Sequence, residues 1–193
     1  MKKLVFASAN QNKIKEIKSI LPAGFELVTL DELGFHEEIP ETSPTISGNA
    51  IQKTTFLKDK LALDCFSDDT GLIIPALNNE PGVYSARYAG PQRNADDNMD
   101  LVLEKLAEKN DRSAYFITTI ALWFEGELHL FEGKVTGEII TTKKGEQGFG
   151  YDPIFIPEHQ GKTFAEMTLA EKSKFSHRAR AFEKMIAFLT SKA

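Results

Sequence analysis

The chain has 193 residues, 41% of them hydrophobic and 26% charged, with 28 Asp and Glu against 23 Lys and Arg and a net charge of -5. It is too apolar and too aromatic (14 Phe, 4 Tyr, 1 Trp) to stay disordered, and too acidic to bind nucleic acid mainly by bulk charge. The single cysteine, Cys65, excludes an internal disulfide, and the absence of a CxxC motif argues against a thiolate zinc site. The size fits one domain over residues 1–193, or one domain in two lobes.

In chain order, Lys3 to Ala7 reads as a short buried strand. The opening Met1 to Ala9 imitates a signal peptide, but its apolar run is shorter than the roughly 7–15 residues such a region needs. Ile14, Ile17 and Leu21 predict an amphipathic helix over about 12–21, stopped by Pro22 and Gly24. Phe25 to Leu30 reads as a second strand, and Asp31 to Pro44 as an acidic loop. A second helix is expected from Ser47 to Leu63, with Ala50, Ile51, Thr54, Leu57 and Leu61 on its inner stripe. Cys65 to Ser67 and Leu72 to Ile74 read as two strands flanking Asp68-Asp69-Thr70-Gly71. Met99, Val102, Leu103 and Leu106 mark a third helix capped by Asn94 or Asp96.

Ala114 to Phe124 and Glu127 to Val135 predict a long hairpin turning at Glu125-Gly126. Gly145 to Gly150 is a glycine loop before a short strand at Ile154 to Ile156. Thr168 and Glu171 fit a capping box, and Phe182, Met185, Ile186 and Leu189 give the last helix its apolar face. Strand–helix alternation followed by a hairpin predicts an α/β fold with a mixed sheet. No apolar run approaches the roughly 18 residues of a membrane span.

Four segments carry candidate chemistry. Ser8-Ala9-Asn10-Gln11-Asn12-Lys13 lies at a strand-to-helix turn, where unpaired N–H groups suit phosphate; the same residues also read as a helix cap. Asp68-Asp69-Thr70-Gly71 joins two repelling carboxylates, which call for a cation such as Mg²⁺ or for a shifted pKa; it also reads as a polar turn. In Gly145-Glu146-Gln147-Gly148-Phe149-Gly150-Tyr151-Asp152-Pro153, Phe149 offers a stacking face for a base and Asp152 an acceptor for its edge; the alternative is a glycine hairpin with core aromatics. In Lys172-x-x-x-Ser176-His177-Arg178, Ser176 is placed as a cap, with His177 and Arg178 in an exposed first turn where cations oppose the helix dipole.

Taken together, the segments supply phosphate donors, a carboxylate cluster, an aromatic platform and polar base readers, which suits a Mg²⁺–nucleoside triphosphate. Six patterns in order then resemble the inosine/xanthosine triphosphate pyrophosphatase family: (S/T)-x-N-x-x-K, a Glu in an acidic loop, D-D-(S/T)-G, P-G-x-Y-S-A-R-Y, G-F-G-Y-D-P-I-F and E-K-x-x-x-S-H-R.

That resemblance implies hydrolysis of ITP, dITP and XTP to the monophosphate and pyrophosphate. It implies two lobes around a long, mixed, twisted sheet with flanking helices and a cleft between them, in a cytoplasmic homodimer that engages neither nucleic acid nor membrane. Ser8 to Lys13, Lys53, Thr70 and Arg87 are then expected on the phosphates. Glu41 and Asp69 would hold Mg²⁺ with Asp68 nearby, and Asp69 would activate water. Phe149, Gly150, Tyr151 and Asp152 would form the base pocket with Lys172, His177 and Arg178. The family often reads T-F-x-E-N-A after the acidic loop; here the segment is Thr45-Ile46-Ser47-Gly48-Asn49-Ala50, so Gly48 replaces an acid. Rival readings are a Maf-type nucleotide pyrophosphatase and a regulatory nucleotide-binding module without catalysis.

Overall fold

A computed structural model describes residues 1–8 and 11–192, with the side chains of all but Gln11, Asn12, Lys15, Glu16 and Ser19. The expectations for Ala9 and Asn10, and for the Gln11 and Asn12 side chains, therefore lie outside the described residues. The strands are β1 (Lys2–Phe6), β2 (Phe25–Thr29), β3 (Cys65–Ile74), β4 (Glu80–Pro81), β5 (Ser113–Phe124), β6 (Glu127–Ile139) and β7 (Phe155–Pro157). The helices are α1 (Gln11–Ile20), α2 (Ile46–Leu61), α3 (Ala95–Lys105), the single turn α4 (Leu169–Lys172) and α5 (His177–Thr190). The sheet order is β2-β1-β3-β5-β6-β7, with β4 beside β3. β1 runs parallel to β2 and β3, whereas β4 pairs antiparallel with β3 and β7 antiparallel with β6. The sheet is mixed, as the sequence predicts.

Local chemistry explains the element ends. The Thr45 hydroxyl accepts the Gly48 N–H at 3.0 Å and starts α2, and Ala62 ends it in the left-handed region at φ 52°. Asn94 caps α3 by accepting from the Asp96 and Asp97 N–H groups. Glu125 and Gly126, at φ 51° and 87°, make the β5–β6 turn with two positive φ values. A Cβ at Gly48 would meet the Ser43 and Thr45 hydroxyls, so a larger residue there would need those side chains to turn aside.

One expectation needs correction. The two strands predicted around Asp68-Asp69-Thr70-Gly71 are one continuous ten-residue strand, β3. A turn signal loses here because the acids are paired from other elements, which leaves the backbone free to stay in the ladder.

The chain divides into two compact units. One comprises Met1–Asp69, Thr119–Glu132 and Ala181–Ala193; the other comprises Thr70–Thr118 and Gly133–Arg180. The first packs Leu4, Phe6, Ile14 and Ile17 with Phe66, Phe182, Met185 and Leu189. Phe6 stacks on Phe66 at 4.6 Å, and Phe182 meets Phe66 edge-on at 6.3 Å. The second packs Leu72, Val102, Phe116, Phe155 and Phe164. Each fully buried Phe contributes about 1.5–3 kcal/mol.

Candidate functional site

The first unit gathers the carboxylates and lysines. Lys13 on α1 reaches Asp68 on β3, its ammonium 2.9 and 2.7 Å from the two carboxylate oxygens. The Asp68 side chain is 2% exposed and that of Lys13 21%. Lys53, one face of α2, donates to Glu41 Oε1 at 2.7 Å and to the Asp68 carbonyl at 2.9 Å, and lies 3.6 Å from Asp69 Oδ1. Glu41 from the acidic loop and Asp69 from β3 thus share one ammonium.

The electrostatics follow from burial and from these partners. Burial works to neutralise the Lys53 amine, but Asp69, Glu41 and Asp68 overcome it and hold the group above its usual range. Asp69 is pushed above the ordinary carboxylate range, first by burial and further by the charges of Glu41 and Asp68. Lys53 and the polar side chain of Asn49 oppose that rise. A carboxylate raised in this way is a better proton acceptor once ionised.

Two mutually repelling carboxylates that meet on a cation present hard oxygen donors. Among the described residues, no group of three or more His, Cys, Asp or Glu is placed to hold a metal. Two carboxylates are a donor set that suits a hard divalent cation, with waters and phosphate completing its shell. Ser8 sits just beyond β1, half-buried, with its N–H on the Phe6 carbonyl at 2.8 Å.

The second unit gathers the aromatic and basic residues. Phe149 is 61% exposed, an unusual setting for Phe. Its ring has the Lys172 ammonium 5.0 Å from the centroid and the Arg178 guanidinium carbon 5.5 Å away. Asp152 is buried below, its Oδ2 accepting from Lys172 at 2.5 Å and from the Phe149 N–H at 2.9 Å. A Cβ at Gly148, where φ is 79°, would fall 2.1 Å from that oxygen, so only glycine lets the loop close over the carboxylate. His177 stacks face to face on Phe116 at 4.7 Å.

Several predicted residues occupy settings the sequence does not suggest. His177 and Arg178 are 4% and 8% exposed, which corrects the expectation of an exposed first turn. The cap is as expected, with Ser176 Oγ accepting the Ala179 N–H at 3.1 Å. Asp152 anchors Lys172 and the glycine loop from a buried position. Tyr151 donates to the Ser85 carbonyl at 2.7 Å, and burial raises its phenol far above the usual range. The Thr70 hydroxyl bonds that of Thr118 at 2.7 Å. Arg87 is half-buried in the turn Gly82–Arg87, its guanidinium 5.4 Å from the Tyr84 ring. Asn49 is not among the residues the sequence singles out for the site, although it matches the N of T-F-x-E-N-A and lies four positions before Lys53 on α2.

The sequence pattern of the Ham1 family matches residues 4–188. The chain belongs to the Ham1 family. A relative in Flavobacterium johnsoniae, a dITP/XTP pyrophosphatase, is 52% identical over 189 residues, covering 98% of each chain. A Bacillus subtilis protein of the same name is 45% identical over 193 residues, again covering 98% of each. The Ham1 protein structure from Staphylococcus aureus superimposes with a TM-score of 0.94 at 39% identity and 100% coverage of both chains. The motif resemblance thus extends along nearly the whole chain, and so does the Ham1 fold.

Proposed function

We propose that this Ham1-family protein is a nucleoside triphosphate pyrophosphohydrolase that cleaves ITP, dITP and XTP to the monophosphate and pyrophosphate. The observation that carries the proposal is the Glu41–Lys53–Asp69 cluster, in which two carboxylates meet on one buried ammonium. Glu41 and Asp69 are the residues that would hold Mg²⁺, which would screen the triphosphate charge and help ionise the attacking water. Asp69 is assigned to take the proton of the water that attacks the α-phosphorus, releasing pyrophosphate. Lys13 and Lys53 neutralise charge on the departing pyrophosphate, with Ser8, Thr70 and Arg87 as further phosphate contacts. The segment of Ala9 to Asn12 is assigned to the same phosphates on its sequence pattern.

Phe149 supplies the stacking face, and Lys172, His177 and Arg178 supply donors to the 6-keto oxygen. ATP carries a 6-amino group there and would leave those donors without an acceptor, a mismatch that can cost several orders of magnitude in selectivity. Work as a homodimer in the cytoplasm belongs to the same proposal. Among the described residues, no helix is long and apolar enough to cross a membrane.

The test is pyrophosphate release from ITP, dITP, XTP, ATP, GTP, dTTP and UTP, each with and without Mg²⁺. Turnover confined to the first three, dependent on Mg²⁺ and lost in Asp69→Asn, is the expected result. Comparable rates across the panel would refute the base selectivity. Near wild-type turnover by Asp69→Asn would remove Asp69 from the mechanism.

A further inference from the structure

Three side chains on one face of α2 hold three consecutive residues of the acidic loop. The loop runs antiparallel to the helix. Asn49 Oδ1 accepts the Ser43 N–H at 2.9 Å. Gln52 takes Thr42 at both ends of its amide, accepting the backbone N–H at 2.8 Å and donating to the hydroxyl at 2.8 Å. Lys53 holds Glu41 at 2.7 Å. Positions 49, 52 and 53 are i, i+3 and i+4, the spacing that shares a helix face. Asn49 is 2% exposed with its oxygen committed to Ser43. The clamp therefore fixes the loop that carries Glu41 to α2, whose Lys53 also reaches the strand that carries Asp69.

This arrangement answers a mechanical need. Glu41 and Asp69 raise each other's electrostatic energy, so the loop must be restrained if the two are to stay close. Lys53 provides part of that restraint through its charge. A phosphate competing for the same ammonium would weaken that part, whereas the two amides carry no charge and keep their hold.

We propose that Asn49 and Gln52 are positioning residues that keep Glu41 within metal-sharing reach of Asp69. The inference rests on the assignment of Glu41 and Asp69 as the metal carboxylates. It is tested by titrating the nucleotide-free chain with Mn²⁺, following the free ion by electron paramagnetic resonance, and by measuring Mg²⁺ activation and KM separately. Partners that orient metal ligands typically set affinity by about 10–100-fold. Asn49→Leu is expected to weaken Mn²⁺ binding about tenfold and raise half-activating Mg²⁺ equally, with KM at saturating Mg²⁺ little changed. Gln52→Ala, on the more exposed side of the clamp, is expected to give a smaller loss of about threefold.

Unchanged Mn²⁺ affinity in both variants, with native circular dichroism, would overturn the proposal, provided that Glu41→Gln does weaken binding. Unchanged affinity in Glu41→Gln would overturn the carboxylate assignment and the proposal with it. Should Asn49→Leu not fold, Gln52→Ala decides alone: a loss supports the clamp, and no loss overturns it.

Discussion

Replacing Lys13 by Met keeps the hydrocarbon stem and removes the ammonium that sits 2.9 and 2.7 Å from the two oxygens of Asp68. The Asp68 side chain is 2% exposed, so water cannot simply take the place of the lost partner. Deleting one member of a buried pair typically costs about 3–5 kcal/mol, because a charge is left in a poorly solvating place. The 21% exposure of Lys13 lets some solvent approach and moves the expectation to about 2–3 kcal/mol. For a chain of this size each kcal/mol lowers Tm by about 2–4 °C, so the variant should melt roughly 5–10 °C lower.

Neutralising Asp68 as well should restore stability. Lys13→Met combined with Asp68→Asn is expected to recover at least half of the loss. Urea denaturation followed by circular dichroism measures all three variants in the nucleotide-free state. A loss below about 1 kcal/mol for Lys13→Met, or a double variant no more stable than the single one, would refute the reasoning.

Asp69→Asn should trade activity for stability. Burial raises the folded-state pKa of Asp69 above its unfolded value, so the ionised form is unfavourable in the fold. The stabilisation that this group provides when protonated is complete below its ordinary value of 3.8 and is lost as pH rises through the raised pKa. The variant should therefore melt higher than the wild type at pH 7.5, with the advantage shrinking as pH falls toward 3.8; a lower Tm at pH 7.5 would contradict the burial argument. Cys65 should be inert in the native chain. It is fully buried, and burial lifts its thiol to about 12. Ellman's reagent at pH 8 should label it only when denaturant is added, and rapid native labelling would show that the β3 core opens readily.

What the sequence made legible was local. The β5–β6 turn at Glu125-Gly126, the Asn94 cap and the Thr168–Glu171 capping box each depend on residues a few positions apart, and each stands in the structure. The capping box, however, starts the separate turn α4, and α5 begins anew at His177 behind Ser176.

What stayed hidden depends on distant partners. Asp68 and Asp69 resemble a turn only while Lys13, 55 positions away from Asp68, and Lys53 are out of view. With those lysines in place, the acids are tolerated inside a strand. The burial of His177 and Arg178 is equally invisible locally, because it depends on Phe116 and Phe149 from other parts of the chain. Asn49 matches the N of T-F-x-E-N-A, but that pattern names no partner; only the path of the acidic loop beside α2 reveals what it touches.

The order in which the chain contributes to the first unit bears on how it is made. The core around Leu4, Phe6, Ile14 and Ile17 is closed by Phe182, Met185 and Leu189. The apolar faces of β1 and α1 are thus covered by a segment some 165 or more positions later in the chain, as expected for contacts of high loop-closure cost. The second unit draws on residues 70–118 and 133–180, all earlier than that closing segment. The unit that carries the carboxylates is therefore the one whose core depends on the more distant pairing.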